Sequence, residues 1–202
     1  GSMGDSYDIE CVINAIAIIQ QRQSVSKQIR FILCGDGEKR KYFELCAKEK
    51  NVQAVFYGFK PYEEMAGIIS SCDIVVNPIV PGSAASIINK VGDYALSGLP
   101  VINTQESVEY RNLIDEYKCG INCRCGDSSD VADAITLLAS DVNQRLALGR
   151  NNRIVGERFF NRLTSYKELF PFFEGDKSLE ECLTCLKGVD LSKQYGKPKR
   201  KE

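Results

Sequence analysis

The chain contains no histidine, so it lacks the side chain that most often acts as general acid or base near neutral pH. A reaction that needs such a group must take it from outside these residues. No Asp-x-Asp pair occurs either, and with it goes a common carboxylate arrangement for a metal-held diphosphate. No apolar run approaches the roughly 18 residues that a membrane-spanning helix requires, and no stretch reads as a secretory signal. Neither sign of charge dominates: 26 Lys and Arg against 27 Asp and Glu leave a net charge of −1. Nothing global therefore draws the chain to nucleic acid. Gly35-Asp36-Gly37 has no third glycine where a dinucleotide-binding fingerprint needs one.

What is present is ordinary for a globular protein, with 44% hydrophobic and 26% charged residues. A length of 202 residues allows one domain with a substantial core, or a domain of about 150 residues with an extension. Nine cysteines without a secretory signal read as reduced thiols of a cytoplasm. Cys11, Cys34, Cys46 and Cys72 sit in apolar surroundings and are expected in the core. Cys119, Cys123, Cys125, Cys182 and Cys185 could between them bind zinc, with Cys123 and Cys125 on one face of a strand. Their spacing does not match paired Cys-x2-Cys knuckles, and structural or incidental cysteine is the favoured reading. No metal or cofactor is expected.

Hydrophobic periodicity lays out the elements. Ile9, Val12, Ile13, Ile16 and Ile19 recur at helical spacing. Ile29–Cys34 is a short apolar run closed by Gly-Asp-Gly, a buried strand and its turn. A helix follows to about Lys50, then a strand over Gln53–Tyr57. Pro61 suits a first helical turn, with Met65, Ile68 and Ile69 as the buried stripe. Further strands are expected over Ile74–Asn77, Pro100–Asn103 and Gly120–Arg124. Asp127 or Ser128 caps a helix burying Val131, Ala134, Ile135 and Leu138, and Asp141 caps another through about Phe159. Strands alternating with helices predict an α/β fold with a doubly wound parallel sheet covered on both faces.

Residues 73–103 carry the most information. A buried strand leads into the loop Pro81-Gly82-Ser83-Ala84-Ala85-Ser86, then an amphipathic helix, a glycine stop at Gly98 and a second strand. Backbone N–H groups gathered at a helix N-terminus favour phosphate. Lys90, in the first turns of that helix, is either the charge that stabilises a leaving diphosphate or a surface lysine. Asp93 shares its helix face, and a simple Lys90–Asp93 pair is the alternative to a ligand contact. Ser83 and Ser86 are either phosphate ligands or helix caps.

The same segment, with Asp93-Tyr94-Ala95-Leu96-Ser97-Gly98-Leu99-Pro100-Val101 at its end, resembles the core signature of the family 4 retaining glycosyltransferases, in the donor-sugar half of the GT-B fold. Ile32-Leu33-Cys34-Gly35-Asp36-Gly37, Val55-Phe56-Tyr57-Gly58-Phe59 and Cys72-Asp73-Ile74-Val75-Val76-Asn77-Pro78 resemble successive landmarks of that family. The likeness covers about residues 4–160. It implies a Rossmann-like nucleotide-sugar-binding domain over 4–175, with a helical extension and basic tail over 176–202. It implies catalytic roles for Lys90 and Asp93, with Asp93 accepting the ribose hydroxyls. Donor contacts fall to Gly4, Gly35, Gly58, Phe59, Lys60, Gly82, Ser83, Ala84, Ala85 and Ser86.

The chain departs from the family pattern at Ala85, where the first of two glutamates would stand, and at its start. Gly-Ser-Met reads as an expression scar, and the domain's first strand would precede Gly4. The resemblance therefore implies the C-terminal half of an enzyme that builds a surface polysaccharide such as capsule, exopolysaccharide or O-antigen, with the acceptor domain elsewhere. Its donor would be a UDP- or GDP-sugar, and the chain alone would be inactive. Alternatives are a non-catalytic nucleotide-sugar-binding subunit and an epimerase of the same fold. The aromatic segment Arg162–Phe173 is either an orphaned domain interface or packed on its own domain. The tail carrying Lys193, Lys197, Lys199, Arg200 and Lys201 is either a solvated end or a contact with anionic lipid at the inner membrane face.

Overall fold

The computed structural model describes residues 1–83 and 87–161, and within them strands and helices alternate as expected. Asp8 opens helix α1 (Ile9–Arg22), its Oδ1 accepting the Cys11 N–H at 3.1 Å. The helix ends at Gln23, which takes the left-handed conformation. Then come β1 (Phe31–Cys34), α2 (Arg40–Glu49), β2 (Ala54–Gly58), α3 (Tyr62–Ser70) and β3 (Val75–Asn77). After the loop, α4 (Lys90–Leu96), β4 (Val101–Asn103), α5 (Val108–Tyr117), β5 (Gly120–Asn122), α6 (Ser128–Ser140) and α7 (Val142–Val155) follow, closed by a π-helical turn over Gly156–Phe160. Asp127 caps α6 through the N–H groups of Ser129 and Asp130, and Asp141 caps α7 through that of Gln144. Both caps are those expected.

Among the described residues, every pairing between these strands is parallel. The strands form two sheets, β1–β2 and β3–β4–β5. Residues 1–8 bridge them at their carboxyl ends. Ser2 pairs with Asp36 just past β1, and Tyr7 pairs with Ile79 just past β3. Met3 is buried in the core.

Alternation along β4 shows that both faces of the larger sheet are covered. Ile102 joins a core with α1, α2 and α6, contributed by Ile13, Ile16, Phe43, Val131 and Leu138. Val101 joins a second core with Val91, Ala95, Tyr110, Ile114 and Val155. This is the arrangement of a doubly wound sheet.

Three local expectations need correction. Met65, Ile68 and Ile69 are only half-buried, and α3 has no buried residue; its inner face borders a groove of about 200 Å³ shared with α4. The α4 helix starts at Lys90, not near Ser86, because the β-branched pair Ile87 and Ile88 packs on the second core before the helix begins. Strand β5 stops at Asn122, so Cys123 and Cys125 are not ordered by strand alternation. Residues Gly1–Phe160 form one compact unit; the aromatic segment, the proposed boundary at 175/176 and the basic tail lie outside the described residues.

Candidate functional site

Each strand of the larger sheet ends in asparagine, and the register sets these side by side: Asn77 opposite Asn103, and Asn103 opposite Asn122. Asn77 donates to Asn103 Oδ1 at 2.9 Å and to Gln105 Oε1 at 3.1 Å. Asn103 donates to Asn122 Oδ1 at 3.0 Å and to the Gln105 carbonyl at 3.1 Å. Asn77, Asn103, Thr104 and Gln105 are fully buried, where a polar group needs a partner to be tolerated. This amide ladder crosslinks the carboxyl ends of the strands, where open parallel sheets place their ligands. Sequence reasoning missed it. The signal was available in the strand endings Val-Val-Asn, Val-Ile-Asn and Gly-Ile-Asn.

Thr104 extends this fixation into the loop that follows β3. Its Oγ1 accepts the Ile79 N–H at 2.8 Å, while the Cys125 thiol donates to the Ile79 carbonyl at 3.0 Å. The chain from Pro78 to Val80 is also pinned to the N-terminal segment, Asp8 N–H to Pro78 O and Val80 N–H to Ser6 O. The turn that follows has Ser83 N–H bonded to Val80 O at 3.2 Å and Gly82 at φ +70°. Gly82 donates its N–H to Glu106 Oε2 at 3.0 Å, so one donor expected for phosphate is held by a carboxylate. Ser83 is exposed, and α4, whose N-cap is Asn89, has no side-chain cap. Ala84, Ala85 and Ser86 lie outside the described residues.

Lys90 points its ammonium at the Tyr7 ring, 3.7 Å from the centroid. It forms no ion pair with Asp93. That carboxylate instead accepts a hydrogen bond from the Tyr62 hydroxyl at 3.1 Å, which raises the Tyr62 pKa, with the Asp93 charge adding to the effect. Tyr62 and Asp93 line the groove between α3 and α4 with Met65, Ile69 and Leu96. Tyr94, on the next residue, is pushed well above the usual phenol range by burial. Tyr7, Tyr62 and Glu106 were not singled out from sequence, since a tyrosine next to a lysine in space leaves no trace in spacing.

The remaining expected residues form a second group. Gly35 donates its N–H to Gly58 O at 2.7 Å, and Gly35 at φ +138° approaches Gly1 so closely that a Cβ would overlap its backbone. Gly4 lies in the bridging segment, its carbonyl accepting the Tyr7 N–H at 3.3 Å. Phe59 is 84% exposed, an unusual placement for a phenylalanine. Lys60 is engaged by Glu64 at 3.0 Å. Cys11 and Cys123 are buried, and burial pushes their thiols up to about 11 and about 12, so both are neutral at pH 7. Cys34 and Cys72 are half-buried, not fully in the core. Among the described residues no group of three His, Cys, Asp or Glu is arranged to hold a metal, and no helix is long and apolar enough to cross a membrane. Cys182 and Cys185 lie outside them.

No curated protein matches the chain. Among solved structures, Anabaena HepE in complex with UDP is similar with a TM-score of 0.72 at 16% identity, over 87% of this chain and 47% of that one. Sucrose-phosphate synthase from Thermosynechococcus elongatus is similar at TM-score 0.70 and 20% identity, over 85% and 43%. The C-terminal domain of the Francisella tularensis group 1 glycosyl transferase LpcC is similar at TM-score 0.62 and 20% identity, over 79% and 83%. The chain thus spans about half the length of HepE and most of an isolated C-terminal domain, and it has the fold of a GT-B half. The family described as Glycosyl transferases group 1 matches residues 1–141, a match that takes in the bridging segment, both sheets and the loop between β3 and α4, and the chain belongs to that family.

Proposed function

We propose that this chain binds a nucleotide-sugar donor for a glycosyl transfer, with the diphosphate lying at the carboxyl ends of the strands beside Lys90. One observation carries the reading. Lys90 presents a cation at the strand ends, and no carboxylate neutralises it among the described residues. Cleavage of a glycosyl diphosphate leaves negative charge on the phosphate, and a fixed cation there stabilises it. Asp93 would accept the ribose hydroxyls through the lone pairs that the single Tyr62 bond leaves open, and exposed Phe59 offers a face for the base. Gly4, Gly35, Gly58, Lys60 and the Gly82–Ser86 loop complete the donor site in this reading. HepE, of similar fold, is described in complex with UDP-glucose, which supports a hexosyl donor on UDP.

In this reading the chain is the donor half of a retaining hexosyltransferase of surface polysaccharide synthesis, working in the cytoplasm with an acceptor-binding half. By itself it transfers no sugar, because near-attack geometry needs the acceptor held as well. The basic tail would add a contact with anionic lipid.

The test is Lys90→Ala, assayed with UDP and GDP against uridine and guanosine. A charge-assisted contact is worth roughly 1.5–3 kcal/mol, so diphosphate binding should weaken about tenfold or more while nucleoside binding holds. Equal losses for both would leave Lys90 a structural residue and remove the main support for the site.

A further inference from the structure

We infer that Tyr7 is a positioning residue that holds the Lys90 ammonium ready for the donor diphosphate; the inference rests on the donor-binding reading above. A lysine side chain free in solvent samples many rotamers, and fixing it costs entropy. A carboxylate would fix Lys90 but would also cancel its charge. The Tyr7 ring does the first without the second, because an aromatic face attracts the ammonium through its quadrupole and carries no net charge. The 3.7 Å separation is well inside the roughly 6 Å over which that attraction counts. Asp93, the one acidic residue in the first turn of α4, is occupied by Tyr62.

The ring is itself held at a set height. Tyr7 is half-buried against the larger core. Its N–H bonds to Gly4 O, and its neighbours Ser6 and Asp8 bond to Val80 and Pro78. Those residues lead directly into Pro81 and Gly82. One bridging segment therefore sets both the anion loop and the ring on which the cation rests, which a chance packing of a surface lysine would not require.

The 202-residue chain is assayed with UDP, GDP and inorganic pyrophosphate, with uridine and guanosine as controls, in Tyr7→Phe, Tyr7→Leu, Lys90→Ala and the double variant Tyr7→Leu/Lys90→Ala. Tyr7→Phe should bind like the parent. Tyr7→Leu should weaken diphosphate and pyrophosphate binding about fivefold, leave the nucleosides unchanged, and add nothing in the Lys90→Ala background. Replacing Tyr7 by trifluorophenylalanine, which drains the ring face at nearly constant shape, should reproduce most of the loss even where Tyr7→Leu folds poorly. Loss of nucleoside and diphosphate binding alike, an undiminished effect without Lys90, or a fluorinated ring that binds like Phe would each overturn the role of Tyr7. If Lys90→Ala acts and Tyr7→Leu does not, the positioning role alone fails. If Lys90→Ala leaves diphosphate binding unchanged, it is the donor-binding reading that fails, and this inference with it.

Discussion

Asn103 shows how a single buried side chain can organise a site it does not line. Its Oδ1 accepts from Asn77 and from the Gln105 N–H, and its amide donates to Asn122 and the Gln105 carbonyl. All of its bonding capacity is used inside the protein. Asn103→Leu would keep the volume but break its bonds to Asn77, Asn122 and Gln105, and a buried polar group left unmatched costs about 1–3 kcal/mol. Urea unfolding should show a loss of roughly 3 kcal/mol or more, against well under 1.5 kcal/mol if the site behaved as a volume-conserving apolar swap. Glu106 makes the opposite case, an exposed side chain whose effect is on ligand charge. Because its carboxylate holds the Gly82 N–H, a diphosphate must displace it and then sit beside a like charge. Glu106→Gln, titrated with UDP or GDP, is expected to tighten binding about threefold, in line with the modest worth of exposed charges. Weaker binding would place the phosphate away from Gly82.

At the level of elements, α7 is the clamp on the turn that follows α4. Gly98, at φ +71°, ends α4 in the left-handed conformation that glycine adopts without strain. Gly149 of α7 packs so closely on it that a Cβ would lie 2.3 Å from the Gly98 carbonyl oxygen. Asn152 then donates to the Leu99 carbonyl at 2.7 Å. Gly149→Ala has to push α7 away from this turn, at about 1–3 kcal/mol for overpacking. A lower Tm, with weakened diphosphate binding through the shift of α4, is the expected result; an unchanged Tm would mean the helix moves freely. The elements themselves were legible in sequence where the signal is local. Asp127 and Asp141 were readable as caps, and the apolar spacing of α1 and α6 gave their buried faces. The start of α4 was not, because Ile87 and Ile88 look helical by period and are drawn off by packing that only the tertiary fold reveals. Lys90 and Asp93 stand three residues apart on α4, yet their partners, Tyr7 and Tyr62, come from distant parts of the chain. The strand-end asparagines were legible in principle, but only once the register of three strands is known.

For the whole molecule, the division into two sheets has an energetic consequence. In a parallel ladder, alternate residues direct their N–H and C=O groups to opposite neighbours. Phe31 bonds toward β2 and Val75 toward β4, so Ile32 and Cys34 on β1, and Val76 on β3, direct theirs to the sheet edges. The Cys34 carbonyl accepts from the Gly1 amine, which leaves Ile32 and Val76 as the inner edge positions. Strand β4, paired on both sides and buried along its length, should unfold only with the domain. Edge amides exchange through smaller openings. Amide hydrogen exchange should therefore find Ile32 and Val76 at least about tenfold faster than Ile102, at any protein concentration. Protection of Ile32 and Val76 that matched Ile102 and rose with concentration would mean that a strand from a second copy pairs with these edges, as in a swapped dimer. In that case the bridging segment of residues 1–8, and the Tyr7 ring it carries, would be held by two chains instead of one.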